Sequence, residues 1–391
     1  MAESIIFRDR SKLSPKYIPN ELPHRDDQLH YIRNLFKEAQ SDPDKFPLMV
    51  LQIVGPTGIG KTSTVLRFSK KIEEDFANNR LTIKIAYVNL KLQGGNKYAI
   101  YRFLLEKISP ELPAQGLSAE EMLRYMLQYL RENMIYAFII LDEIDYLIKI
   151  TKEMGIIYDL TRLNEFDPDK PCNIKGVIFI ARSTEFYNKL DEAELSTLGK
   201  VPLKFLPYSL KQVSDILVSR CSEAFNEKAV GPDVIDEVSN ITAIPAINGD
   251  IRYALDLLFY SGNLAESQGS SRINLEHIRK VHGQIKPTIM TEVIEELSKN
   301  QKYTLMAVIR ALRVKKNQYV DLKEIRLQAL EVIEEFKLRK LDVEDYLDDL
   351  QIRNIIEMRS LKKIGIHGAS LQELESMLKK RIKHNDNDNN A

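Results

Sequence analysis

The sequence predicts an α/β fold in which a parallel β-sheet is covered by helices, followed by a helical region that ends in a short hairpin and a final helix. Three observations predict this fold. A glycine-rich octapeptide joins an apolar run to an amphipathic helical pattern at residues 55–62, a second apolar run ends in acidic residues at 142–145, and β-prone runs alternate with helical patterns up to residue 206. Such alternation predicts parallel strands covered on both faces by helices.

The first element is the octapeptide Gly55-Pro56-Thr57-Gly58-Ile59-Gly60-Lys61-Thr62. Its spacing is that of a P-loop, in which backbone N–H groups surround phosphate oxygens at the positive end of a helix. We expect Lys61 to reach the β- and γ-phosphates and the Thr62 hydroxyl to bind Mg²⁺. A glycine-rich turn with a chance Lys-Thr pair is the alternative, but the flanking strand and helix argue against it. The predicted cofactors are ATP or ADP with Mg²⁺.

The second element is the apolar run at residues 136–141, which ends in Asp142 and Glu143. A buried parallel strand appears as a continuous apolar run, and open α/β sheets bind ligands at the carboxyl ends of their strands. We therefore expect Asp142 to hold Mg²⁺ and Glu143 to orient or activate the attacking water. The alternative is that the two carboxylates only cap a helix.

The rest of the chain completes three predicted domains. Residues 1–206 are expected to form an N-terminal arm and the α/β ATPase core, and residues 207–285 a helical lid, because strand signals stop there. Residues 286–391 are expected to form a winged-helix DNA-binding domain with a disordered tail, because helices are followed by a hairpin-like stretch.

The composition restricts the partners. The formal net charge is zero, so any nucleic-acid surface must be local. The two cysteines, Cys172 and Cys221, have no metal-ligand spacing and indicate a reducing compartment. No apolar run approaches membrane-spanning length. We expect a cytoplasmic, nucleoid-associated protein with no membrane partner.

Segments at residues 17–25, 157–164, 205–209 and 249–256 resemble the archaeal replication-initiator family of AAA+ ATPases, which is related to the origin-recognition complex subunits and the helicase-loading cell-division-control protein. The resemblance covers most of residues 15–290 and, more loosely, the C-terminal domain. It implies that Arg252 is the sensor-2 arginine that reaches the γ-phosphate, and that Tyr208 and Arg220 contact the nucleotide. The alternatives are an ion pair with Asp256 for Arg252, a core position for Tyr208 and a solvated charge for Arg220.

Two positions depart from the pattern of this family. Arg182 stands where the family has an asparagine, the sensor-1 position, and Ala193 stands where it has an arginine finger that acts on a neighbouring subunit. An arginine finger is worth roughly 10³–10⁵ in rate where it acts. We therefore expect a slow ATPase that acts as a nucleotide switch.

Two surfaces are candidates for DNA binding. The resemblance implies a helix that meets DNA near residues 91–98, where Lys97, Asn96 and Gln93 are the candidate donors to phosphates. An ordinary polar loop is the alternative. The second is the hairpin, or wing, with Arg359, Lys362 and Lys363, because the candidate recognition helix at 342–349 is acidic and repels phosphates. A solvated charged surface is the alternative for the wing.

The sequence thus predicts an ATP-binding DNA replication initiator that binds duplex origin DNA beside a partner initiator of the same family and helps to recruit the replicative helicase. Two alternatives are an AAA+ DNA-remodelling motor and a signalling NTPase whose C-terminal domain binds protein. A ring-shaped motor would need an arginine finger and a substrate-gripping pore loop, and neither is visible in the sequence.

Overall fold

The structure is a computed structural model that describes residues 4–93, 96–112, 114–150, 155–199, 201–244, 247–278, 280–283, 294, 297–315, 319–353, 355–360, 363–366 and 371–387. It divides into two compact units. The sheet unit is Pro15–Pro207, and the helical unit is Met1–Ser14 together with Tyr208–Ala391.

The sheet unit is built on the predicted parallel β-sheet. Its strands among the described residues are β1 (Met49–Val54), β2 (Thr82–Asn89), β3 (Ile135–Asp142), β4 (Ile174–Ala181) and β5 (Leu203–Lys204). They lie in the order β2-β3-β4-β1-β5, and all of these pairings are parallel. Nearly every residue of β3 and β4 is buried, which explains their uninterrupted apolar sequences.

The strand register brings the two sequence motifs to one edge of the sheet. Asp142, the last residue of β3, lies beside Ile180 of β4, and Ala181 lies beside Val54, the last residue of β1. The P-loop therefore leaves the sheet at the same edge as the acidic residues, with one strand between them.

Helices cover both faces of this sheet. Their bounds are α1 (Asp26–Leu35), α2 (Glu38–Ser41), α3 (Lys61–Asn78), α4 (Leu90–Gln93), α5 (Lys97–Ile108), α6 (Ala119–Glu132), α7 (Ile144–Ile150), α8 (Ile156–Thr161) and α9 (Glu192–Thr197). Phe36 packs between Phe68 of α3 and Phe138 of β3, with ring centroids 5.6 and 4.8 Å away. The predicted capping box of Ser118 and Glu121 is present at the start of α6.

The helical unit contains the remaining elements. Their bounds are α10 (Leu210–Ala224), α11 (Pro232–Ala243), α12 (Ile251–Ser267), α13 (275–278 and 280–283), α14 (Lys299–Lys315), α15 (Leu322–Glu335), α16 (Glu344–Ile352), β6 (Glu357–Ser360), β7 (Lys363–Gly365) and α17 (Leu371–Asn387). Strands β6 and β7 form an antiparallel hairpin, and Val320 bridges to Ile364 of β7. This order of helices and hairpin agrees with the predicted winged helix. The expected boundary near residues 283–288 lies almost entirely outside the described residues.

The N-terminal segment belongs to the helical unit and not, as expected, to the α/β core. The ring of Phe7 stacks on Phe225 with centroids 5.1 Å apart, and the Arg8 N–H donates to the Ala224 carbonyl at 2.9 Å. Ile6 and Phe7 are buried there, so the apolar residues of the segment explain its place.

Candidate nucleotide-binding site

The P-loop connects β1 to α3 in the expected way. Gly58 and Gly60 adopt left-handed backbone angles, with φ of 74° and 85°, and α3 begins at Lys61. The Lys61 Nζ atom donates to the carbonyl oxygens of Gly55 and Pro56, both at 2.6 Å. The ammonium group is therefore held over the first two residues of its own loop. The Lys61 side chain is also largely buried.

Thr62 and Asp142 meet at the edge of the sheet. The Thr62 hydroxyl donates to Oδ2 of Asp142 at 2.7 Å, and the Tyr87 hydroxyl donates to the same oxygen at 2.9 Å. Asp142 is only 4% exposed. Burial, reinforced by the negative charge of Asp142, raises the pKa of Tyr87 well above its usual value, so this phenol remains a proton donor to the carboxylate.

These oxygen atoms suit a magnesium ion. Mg²⁺ prefers oxygen ligands and is usually held by one or two side chains while it keeps several waters. A hydroxyl and a carboxylate 2.7 Å apart, beside a P-loop, match this requirement. Among the described residues, no group of three or more His, Cys, Asp or Glu side chains is arranged to hold a metal, so the fit rests on this pair.

Glu143 follows β3 in an unusual backbone conformation. Its φ is 61°, a left-handed value that costs free energy for a residue with a side chain and is found mainly where function requires it. Its carboxylate forms an ion pair with Arg182, with Oε2 and Nη2 3.3 Å apart. The backbone N–H of Arg182 in turn donates to Oδ1 of Asp145 at 3.3 Å. The arginine at the sensor-1 position therefore contacts the predicted catalytic glutamate.

Three further residues near this edge were not predicted from the sequence to take part in the site. Tyr87 gave no motif signal, and only its place near the end of β2 connects it with Asp142. Asp145 belongs to the acidic group after β3 but was given no role. Arg25 ends the segment that resembles the N-terminal part of the initiator family, and its guanidinium donates to the carbonyl of Ile59 within the P-loop.

The three predicted nucleotide contacts of the lid lie in the helical unit. Tyr208 and Arg220 are buried, whereas the Arg252 side chain is exposed. Arg252 stands in the first turn of α12, where the Asp250 side chain caps the helix by accepting from the Arg252 N–H at 2.8 Å. Arg252 and Asp256, both within the described part of the chain, form no ion pair within 4.0 Å. Their charges interact only at longer range, since burial raises the pKa of Asp256 and the charge of Arg252 opposes this. A contact of these three residues with a nucleotide stays a prediction.

The side chain of Lys97, in the first candidate DNA surface, forms ion pairs within the sheet unit. Lys97 Nζ lies 2.7 Å from Oδ2 of Asp159 and 2.8 Å from Oε1 of Glu120. Burial by itself would lower the pKa of this ammonium, but the hydrogen bonds to Asp159 and Glu120 outweigh it and raise the pKa. Asn96 caps α5, and Gln93 accepts from the Asn89 N–H. These polar groups serve the fold around them. The expected DNA contact of Lys97 stays a prediction, and we do not include it in the proposed DNA surface.

The wing is only partly described. Lys363 is exposed at the start of β7, Lys362 lies outside the described residues, and so does the side chain of Arg359. The adjacent helix α16 is acidic, as the sequence indicated. Two of the carboxylates in and beside this helix pair with cations, since Asp342 lies 2.7 Å from Lys340 and Glu344 pairs with Arg326. Asp349 accepts a hydrogen bond from the neutral amide of Gln301 at 2.7 Å.

Two models of protein families match this chain. A model of the Cdc6 AAA+ ATPase-type lid domain matches residues 214–283, and a model of the AAA domain matches residues 48–190. With the parallel sheet, the P-loop and the acidic end of β3, these matches define the class: an AAA+ ATPase core followed by a Cdc6-type lid.

Similar proteins identify the family. The ORC1-type DNA replication protein 2 of Saccharolobus solfataricus is 31% identical over 389 residues, which is 97% of this chain and 92% of that protein. The ORC1 protein of Aeropyrum pernix, solved in complex with DNA, is 27% identical with a TM-score of 0.65 over 97% of this chain and 98% of that one. The chain belongs to the ORC1/Cdc6 family of archaeal DNA replication initiators, as the sequence motifs indicated.

A further structure supports the fold alone. The ORC2 protein of Aeropyrum pernix, in ADPNP–ADP complexes, superposes with a TM-score of 0.82 over 97% of this chain and 99% of that chain, at 20% identity. The AAA+ core with a helical lid is thereby confirmed. Among the described residues, no helix has both the length and the apolar character needed to cross a bilayer.

Proposed function

We propose that this protein is an ATP-binding initiator that binds duplex origin DNA beside a partner initiator of the same family and helps to recruit the replicative helicase. The observation that carries the nucleotide part is the 2.7 Å contact between Thr62 and Asp142 beside the P-loop. The DNA part is supported by the 27% identical ORC1 protein whose structure contains DNA. Helicase recruitment rests on the family resemblance.

The proposed roles at the nucleotide site follow from its geometry. Lys61 places a positive charge over the loop that would receive the β- and γ-phosphates. Thr62 and Asp142 would hold Mg²⁺, which supplies positive charge for the phosphoryl oxygens when bound. Glu143 would accept a proton from, or orient, the attacking water.

The same geometry favours slow hydrolysis. Arg182 competes with water for the Glu143 carboxylate, because one guanidinium hydrogen bond already occupies Oε2. Ala193 carries no charge to stabilise the transition state of a neighbouring site. Both features suit a protein whose bound nucleotide determines its state, and neither suits a fast motor.

A DNA-binding titration tests the proposal. The full chain is titrated with a duplex from an origin of replication, a shuffled duplex and the matching single strand, at several salt concentrations and with ATP or ADP. We expect salt-dependent binding that favours the origin duplex and differs between the two nucleotides, because phosphate contacts release counterions. Equal binding to duplex and single strand would contradict the initiator assignment.

A protein-binding C-terminal domain is the second candidate. It is favoured by α16, where Asp345 and Asp348 are exposed in the position expected of a recognition helix. Carboxylates repel phosphates. If the duplex titration shows no salt-dependent binding at all, this second function replaces the first.

A further inference from the structure

The chain passes between the two units twice. It enters the sheet unit after Ser14 and leaves it after Pro207. Residues 15–24, here the first connection, contain three prolines, and residues 201–207, here the second connection, contain two. Proline fixes its own φ and restricts the residue before it, so both connections are stiffer than average segments.

The first connection is followed directly by a buried arginine, Arg25, whose guanidinium donates hydrogen bonds to the P-loop. Arg25 is 4% exposed, and its Nε and Nη2 atoms both donate to the carbonyl oxygen of Ile59, at 3.2 and 2.7 Å. Its Nη1 atom donates to the carbonyl of His24 at 3.0 Å, and His24 has a left-handed φ of 63°. Hydrogen bonds from a buried guanidinium are strong, and they fix the last residues of the connection against the loop.

The second connection contacts the beginning of the same loop. The Phe205 N–H donates to the carbonyl of Val54 at 2.8 Å, directly before the P-loop begins. A side chain at Gly55 would come within 2.3 Å of the Phe205 carbonyl oxygen, so the two backbones are in close contact. Any movement of the first loop residue is therefore transmitted to Phe205, because packed backbones have no free space to absorb it.

Arg25 also joins the two connections to each other. Its guanidinium lies over the Phe205 ring, with Cζ 5.0 Å from the ring centroid, which is a favourable cation–π distance. Phe205 is almost completely buried. Ile59, Arg25, Phe205 and Gly55 thus form a closed ring of contacts that includes the first residue of the P-loop, a residue within the loop and both connections.

We infer that Arg25 is a positioning residue that couples the state of the P-loop to the two chain connections that lead to the helical unit. The inference rests on the proposed nucleotide binding. Phosphate binding to the N–H groups of residues 58–60 orders the peptide whose carbonyl Arg25 holds. A shift of Ile59 then moves the guanidinium, and with it both His24 and Phe205. Neither connection needs to contact the nucleotide for this coupling.

Hydrogen–deuterium exchange of the full chain tests the inference. Wild type, Arg25→Lys and Phe205→Leu are compared without nucleotide and with a saturating non-hydrolysable ATP analogue. Arg33→Lys, on the exposed face of α1, is the matched control. In the wild type and control, the analogue slows exchange at residues 55–62 and in both connections. Lysine keeps the charge of Arg25 but lacks the planar fork. Arg25→Lys therefore keeps protection at 55–62 and loses it in the first connection, whereas the second connection keeps part of its protection through the backbone hydrogen bond to Val54.

The second variant, Phe205→Leu, distinguishes the link through the Arg25–Ile59 hydrogen bonds from the link through the Phe205 ring. Phe205→Leu removes the ring but keeps the Arg25–Ile59 hydrogen bonds and the backbone contact of residue 205 with Val54. The first connection therefore responds as in the wild type, and the second loses the part of its response that passes through the ring. If Arg25→Lys fails to fold, as judged by circular dichroism, the Phe205→Leu result alone decides. Either of two results would overturn the coupling. In the first, both connections gain as much protection in both variants as in the wild type. In the second, the connections of the wild type gain no protection although residues 55–62 do. If residues 55–62 of the wild type gain no protection, the proposed nucleotide site fails and this inference fails with it.

Discussion

The edge of the sheet at the P-loop and the wing of the helical unit are both proposed to meet phosphates, yet they are built differently. At the sheet edge, Lys61 and Asp142 are buried and each is held by short hydrogen bonds. On the wing, Lys363 is exposed and the neighbouring helix α16 carries carboxylates. A preorganised site concentrates its free energy in a few residues, whereas an exposed surface distributes it over many screened charges. Single substitutions should therefore have large effects at the first site and small, salt-dependent effects at the second.

The largest expected effect is at Glu143. Replacing it by glutamine keeps its size but removes the proton acceptor, so single-turnover ATP hydrolysis should fall by about 10²–10⁴-fold. ATP affinity, measured in parallel, should stay the same because the side chain is not needed for binding. A Glu143→Gln variant that hydrolyses ATP at the wild-type rate would remove this residue from catalysis.

The second largest effect is expected for Lys61→Ala, on the affinity for ATP. A charged hydrogen bond contributes roughly 1.5–3 kcal/mol, so removing one such hydrogen bond to the phosphates should weaken ATP binding by about 10–100-fold. Lys70→Ala, on the same helix, is the control with the same change in charge. Fluorescence titration measures the affinity, and an unchanged value in a folded Lys61→Ala variant would contradict the P-loop assignment.

Neutralising the wing should have an intermediate effect. In the triple variant of Arg359, Lys362 and Lys363 to glutamine, the slope of log K against log salt should fall by about 0.9 for each phosphate that the wing no longer neutralises. Binding to all duplex sequences should weaken together, because these side chains do not read bases. A triple variant of the exposed Lys211, Lys228 and Lys280 changes the net charge equally and is the control. Equal slopes in the two variants would show that the wing has no special role.

Arg182→Gln should have a smaller effect, in the opposite direction. The pair with Glu143 is partly exposed, and such pairs contribute about 1 kcal/mol or less, so release of Glu143 should raise steady-state hydrolysis up to about fivefold. Arg182→Lys keeps the charge and should stay slow. A decrease in Arg182→Gln would mean instead that Arg182 assists catalysis directly.

The smallest expected effect on DNA binding is at Lys97. Because its ammonium already pairs with Asp159 and Glu120, Lys97→Met should leave DNA affinity and salt slope unchanged. The free energy of unfolding in urea should fall by about 1 kcal/mol, since the two carboxylates are left without their cation. A slope reduced by about one unit would restore Lys97 to the DNA surface.

Local patterns were sufficient to predict much of the fold and the meeting of the two motifs that form the proposed nucleotide site. The P-loop and the acidic end of β3 are contiguous motifs, and the apolar runs of β3 and β4 reflect burial on both faces of the sheet. The meeting of Thr62 with Asp142 followed from a general property of parallel sheets, whose strands end at a common edge. The family resemblance, carried by short motifs, was confirmed by relatives that cover nearly the whole chain.

Other contacts between residues distant in sequence, which do not lie at the ends of neighbouring strands, were not predictable in this way. Arg25 and Ile59 are 34 positions apart, and Glu143 and Arg182 are 39 apart. The docking of Phe7 on Phe225 and the pairing of Lys97 with Asp159 are of the same kind. A single sequence states which side chains carry charge or apolar surface. Which of them meet depends on strand register and on how helices pack across the sheet, because the partner of a buried group is selected by the free energy of the whole packed unit.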